Sequence, residues 1–109
     1  MREITDKEEQ FVSTLLKHSN SDVVIPRMVL SMKDGNMGSI SFDITGEQSR
    51  AKQLVAGWFT DSDGTHVDFE LTIDKQGSLY ELDIWKVDFS PLTSLPNEDE
   101  IKITAPNNA

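Results

Sequence analysis

Phe11, Val12, Leu15 and Leu16 recur at helical spacing, which predicts an amphipathic helix over roughly residues 6 to 18. Thr5 followed three residues later by Glu8 forms a capping-box pattern, in which hydroxyl and carboxylate satisfy amides that a helix start leaves unpaired. Asp6, Glu8 and Glu9 complement the positive end of this helix, and Lys17 and His18 the negative end. After Pro26, which has no amide proton to offer a sheet, the apolar positions change to period two. Met28, Leu30 and Met32 alternate before the turn Lys33-Asp-Gly-Asn36, and Ile40, Phe42 and Ile44 alternate after it. Leu54, Ala56 and Trp58 lead into Asp61-Ser-Asp-Gly64; Val67, Phe69, Leu71 and Ile73 lead into Asp74-Lys-Gln-Gly77; Tyr80, Leu82 and Ile84 follow. The expected fold is α+β, an N-terminal helix packed on an antiparallel meander sheet of about five strands. Residues 1–95 read as a single domain and 96–109 as a polar, frayed tail, in which Ile101 and Ile103 allow a short edge strand.

Two four-residue turns closed by Thr60 with Thr65 and by Ile73 with Ser78 set a register that can be tested. In it Trp58 faces Val67, Ala56 faces Phe69, Leu71 faces Tyr80 and Phe69 faces Leu82, all of them apolar. A three-residue second turn would set Phe69 against Asp83 and Leu71 against Glu81, which disfavours it. The other sheet face then carries Asp68 opposite Asp83 and Glu70 opposite Glu81, with Phe59, His66 and Trp85 around them. Like charges directly across an antiparallel pair destabilise it by an amount comparable to the roughly 0.2–1 kcal/mol of a favourable pair. Such a face calls for an explanation: it is either a solvated surface or an acidic, aromatic-edged patch for a basic partner.

Charge sharpens this choice. Nineteen acidic against ten basic residues leave a net charge of -9, which repels nucleic acid and anionic membranes. The basic residues are scattered, with no stripe for nucleic-acid readout. No cysteine is present, so disulfides, thiolate metal sites and cysteine nucleophiles are excluded. The longest apolar run, Leu54 to Phe59, is too short to span a bilayer, and a cytoplasmic location is expected.

Catalytic and metal chemistry find little support. The four carboxylates project from strands and not from an encircling loop, so no metal site or cofactor is expected. Asp61-Ser-Asp-Gly64 resembles the start of a calcium loop, but its glycine comes too early and Thr72 stands where the bidentate acid belongs. His66 beside acids reads as a charge partner, no nucleophile elbow is present, and Asp34-Gly-Asn-Met-Gly38 lacks the features of a phosphate cradle.

Leu79-Tyr-Glu-Leu-Asp-Ile-Trp-Lys-Val-Asp-Phe-Ser-Pro-Leu92 resembles the closing signature of a family of small bacterial proteins of unknown function, and Asp34-Gly-Asn-Met-Gly-Ser39 and Asp61-Ser-Asp-Gly64 are similar to that family too. In this signature Trp85, Val87 and Phe89 follow Glu81 and Asp83 on one face, which implies that the apolar side switches after Ile84 through a bulge. Leu92 and Leu95 would then cap the core. The resemblance implies an immunity protein of a contact-dependent or polymorphic toxin system. The expected function is to neutralise a cognate basic toxin domain, with Asp68, Glu70, Glu81 and Asp83 supplying charge and Phe59, His66 and Trp85 anchors. A small carboxylate-dependent enzyme or a metal-binding regulator is the alternative, and a structural subunit whose acidic face meets no partner is a third.

Overall fold

The computed structural model describes residues 1–106. The helix α1 (Asp6–His18) starts on the expected capping box: the Glu8 amide donates to the Thr5 hydroxyl at 3.1 Å, and the Thr5 amide donates to the Glu8 carboxylate at 2.9 Å. Arg2 closes on the same carboxylate with two bonds of 2.9 and 2.8 Å. Among the described residues, seven strands form a single antiparallel sheet: β1 (Arg2–Glu3), β2 (Met28–Ser31), β3 (Ile40–Ser41), β4 (Arg50–Thr60), β5 (His66–Asp74), β6 (Leu79–Lys86) and β7 (Lys102–Pro106). Their order is β1-β2-β3-β6-β5-β4-β7. The α+β architecture is as expected, but the strands are seven and not five. Only β4, β5 and β6 form a continuous meander; β3 pairs with β6, and β7 adds to β4 as the edge strand that Ile103 allowed. No helix among the described residues is long and apolar enough to cross a membrane.

The core lies between α1 and one sheet face. Phe11 meets Phe59 and Phe69 edge-on, with ring centroids 6.0 and 5.2 Å apart. Val12, Leu15, Val55, Val67, Leu71 and Leu82 are fully buried around them. In the first hairpin Val29 takes the core position, one residue out of phase with the alternation of Met28, Leu30 and Met32.

The register of the central strands differs from the expected one, and the turns explain why. Asp61 and Thr65 close the first turn, with the Asp61 amide donating to the Thr65 carbonyl at 2.8 Å, so only Ser62, Asp63 and Gly64 lie outside the ladder. Gly64 has φ +87°, the left-handed conformation that a three-residue hairpin loop requires at this position. Thr60 therefore faces His66, and Phe59 faces Val67. This one-residue slip moves Phe59 and Val55 into the core and turns Trp58 and Ala56 outward. The second turn is built alike, with the Asp74 amide donating to the Ser78 carbonyl at 2.9 Å and Gly77 at φ +85°. By itself it would pair Leu71 with Glu81. A bulge between Leu71 and Ile73 removes that mismatch, and Leu71 faces Leu82, Phe69 faces Ile84 and Val67 faces Lys86. The Thr72 hydroxyl holds the bulge by donating to the Glu81 carbonyl and accepting from the Glu81 amide, both at 3.2 Å.

Lys86 occupies an inward position at the end of β6, so no switch of the apolar side follows Ile84. Its ammonium is buried and fully satisfied: three donors meet Asp61 at 2.8 Å, Asp63 at 2.6 Å and the Pro91 carbonyl at 3.0 Å. Asp61 also accepts from the amides of Ser62, Thr93 and Ser94 at 2.7, 2.9 and 3.2 Å and from the Thr93 hydroxyl. The first turn and the Pro91–Ser94 segment are thereby tied together beneath the sheet. The Asp34 loop joins the same assembly. Its carboxylate accepts from the amides of Met37 and Ser39, the Asn36 carbonyl accepts from Leu92, and the Ser39 hydroxyl bridges the Ile84 amide and carbonyl at 2.8 and 3.0 Å. The three segments singled out in the sequence are distant along the chain and adjacent in the fold.

Candidate functional site

The sheet face turned away from α1 carries the acidic patch. On β5, His66, Asp68 and Glu70 follow one another at every second residue; on β6, Glu81, Asp83 and Trp85 do the same. The four predicted carboxylates therefore share one face. Their pairing is shifted by two residues from the expected one: Glu70 faces Asp83, and Asp68 faces Trp85.

Burial and mutual repulsion disfavour the charged forms at the centre of this patch. Asp83 is held above the ordinary carboxylate range by burial first and by the Glu70 charge second. Glu81 is also raised, by burial and then by Asp83. Arg50, on β4, reaches Glu70 at 3.0 Å and offsets part of the negative charge. Asp68 is engaged differently. It bonds His66 Nε2 at 2.9 Å, and the His66 ring stacks on Trp58 with centroids 4.9 Å apart.

Of the predicted anchors, His66 and Trp85 lie on this face, and Trp85 is 42 % exposed. Phe59 does not: it is completely buried on the opposite face against Phe11. Trp58, which the expected register placed in the core, takes its place beside the acids. Gly64 was the signal that could have found it, since a three-residue loop ending in glycine dictates the slip. Val87 continues the face beyond β6, its amide donating to the His66 carbonyl at 3.1 Å. The patch is consequently polar along its length, with Glu70, Glu81 and Asp83 at one end and Trp58, His66, Trp85 and Val87 at the other.

Among the described residues, no group of three or more His, Asp or Glu side chains is arranged to hold a metal ion. A groove of about 500 Å³ lies elsewhere, between α1 and the 96–101 segment, lined by Lys7, Gln10, Lys17 and Asn97 among others. It contains none of the acidic-face residues.

Residues 1–96 match the model of a family described as a domain of unknown function, DUF6984. No curated protein and no solved structure matches the chain.

Proposed function

The chain belongs to the DUF6984 family, and from that premise we propose that it is a protein-binding module whose acidic sheet face holds a basic protein partner, as an immunity protein holds a toxin domain. The observation that carries this reading is the cost accepted at the centre of the face. Glu70 and Asp83 stand directly opposite one another, and Glu81 and Asp83 are raised by burial and by their neighbours, although polar or apolar residues there would serve the fold better. A basic partner relieves that repulsion on binding, accelerates encounter through its charge, and finds aromatic contacts at Trp58, His66 and Trp85. Asp68, Glu70, Glu81 and Asp83 are the charged contacts. Occlusion of a basic cleft, as in a nuclease, is the inhibitory act that such a surface performs.

Glu81 and Asp83, neighbouring carboxyls both raised above their ordinary range, also suit a general acid–base pair. That second reading is weaker because the pair lies on a strand face and not in the groove beside α1.

The test is recovery of the partner from the native cell at low ionic strength, followed by a growth assay in which the partner is expressed with and without this chain. A basic partner whose toxicity is relieved by wild type, and not by Glu81→Lys with Asp83→Lys, supports the proposal. Protection unaffected by those substitutions contradicts it.

A further inference from the structure

Among the described residues, three of the five exposed large hydrophobic side chains, Trp85, Val87 and Phe89, fall in one stretch where β6 ends. Phe89 is the most exposed of these three. It is 75 % exposed, and its backbone sits at φ +62°, a left-handed conformation that bulky residues avoid. The surrounding turn enforces this: the Phe89 amide donates to the Lys86 carbonyl at 2.9 Å, and Asp88 accepts from both the amide and the hydroxyl of Ser90 at 3.0 and 2.7 Å. Lys86, just before the turn, is fixed by buried Asp61 and by the exposed Asp63. A strained, solvent-facing aromatic ring on a rigid mount gains nothing for the fold, and such outliers mark sites of use.

The geometry points to Phe89, with Trp85 and Val87, as the apolar anchor of the acidic face, receiving a basic polypeptide segment in which lysine or arginine side chains are followed by apolar ones. This inference rests on the reading of the acidic face as a binding surface. Asp83 lies in β6 and Val87 is the first residue of the turn that follows it, so the two are at most about 14 Å apart and one short segment spans both ends. Glu70, Glu81 and Asp83 select the basic end. A second copy of this chain is a poor occupant, because its net charge of -9 opposes self-association.

The probe is a short synthetic peptide with a lysine cluster at one end and a leucine pair at the other, compared with a peptide of identical composition in which the two residue types alternate. Binding is measured by fluorescence anisotropy over a salt series with the full chain. The block peptide is expected to bind more tightly than the alternating one. Phe89→Asn, which tolerates the left-handed backbone, is expected to weaken the block peptide about tenfold or more while leaving the salt dependence and the melting temperature undiminished. Equal affinity of wild type and Phe89→Asn overturns the anchor but, if binding is still salt-sensitive, leaves the acidic-face reading standing. Absence of salt-sensitive binding by either peptide overturns both. Self-association abolished by Phe89→Asn would assign the patch to a second copy and overturn the inference as well.

Discussion

Replacing Asp61 with alanine removes the acceptor on which the buried ammonium of Lys86 depends. Asp61 is 3 % exposed and accepts from Lys86, from the amides of Ser62, Thr93 and Ser94, and from the Thr93 hydroxyl. The variant leaves Lys86 with Asp63 and the Pro91 carbonyl alone, and removes the acceptor of the Thr93 and Ser94 amides, while the Thr93 hydroxyl keeps its contact with Ser62. Breaking a buried ion pair from one side costs roughly 3–5 kcal/mol when the remaining charge is left uncompensated; Asp63 still faces Lys86 in the variant, so the lower end, about 3 kcal/mol, is expected. For a domain of this size that corresponds to a fall in melting temperature of about 12–15 °C. Urea denaturation followed by tryptophan fluorescence measures it. Adding Lys86→Met should recover part of the loss, since removal of both partners no longer strands a charge. The pH dependence gives an independent check. Asp61 is held far below the ordinary carboxylate range, with Lys86 and Thr93 outweighing the opposing effect of burial. Its stabilisation is therefore present above about pH 4 and is lost as pH falls through the depressed folded value. Lys86 is raised, chiefly by Asp61 and then Asp63, so its stabilisation is present below about pH 10 and is lost as pH rises through the folded value. Equal urea midpoints for wild type and Asp61→Ala at neutral pH would refute the assignment of Lys86 and Asp61 as the clamp of this end of the sheet.

Three further outcomes are expected. Asp83→Asn should raise the melting temperature at neutral pH, because the folded pKa of Asp83 lies above its unfolded value and its charged form costs stability there; the gain should vanish below about pH 4, where the carboxyl is protonated in folded and unfolded states alike. Gly57→Ala should destabilise by about 1–3 kcal/mol and speed amide exchange in β7, since an added Cβ would stand 2.1 Å from the Lys102 carbonyl oxygen and 2.8 Å from Phe69 Cζ. Phe59→Ala should cost roughly 3–5 kcal/mol in chemical denaturation, whereas Trp58→Ala should cost far less and weaken partner binding, a contrast that the opposite register reverses.

The helix was legible because Thr5, Glu8 and the apolar spacing of Phe11, Val12, Leu15 and Leu16 all indicate the same start and the same buried stripe. The shared face of Asp68, Glu70, Glu81 and Asp83 was legible because strand parity survives a two-residue shift. Phe59 and Trp58 were exchanged because Asp61 closes the first turn from within the ladder, a distinction that depends on one hydrogen bond and on Gly64. The second register was obscured by compensation: the three-residue turn that sequence pairing disfavoured is present, and the Thr72 bulge restores apolar pairing beyond it. In the sequence Lys86 is one more scattered cation, since an inward lysine becomes tenable only when Asp61 and Asp63, more than twenty residues earlier, fold against it. Strand β1, at two residues, is too short for periodicity to declare it, whereas the alternation from Ile40 and the pair Ile101 and Ile103 mark where β3 and β7 lie.

Neutralising Asp83 should stabilise the free chain and weaken its complex, so the acidic face is tested by binding and not by stability. The most direct measurement is the affinity of wild type and of Glu70→Lys with Asp83→Lys for the basic partner recovered from the native cell, each titrated over a range of salt concentrations. Wild-type affinity should fall steeply with added salt, and the charge-reversed variant should bind at least about tenfold more weakly with a much shallower salt dependence. Equal affinities with equal salt dependence would contradict the assignment of this face.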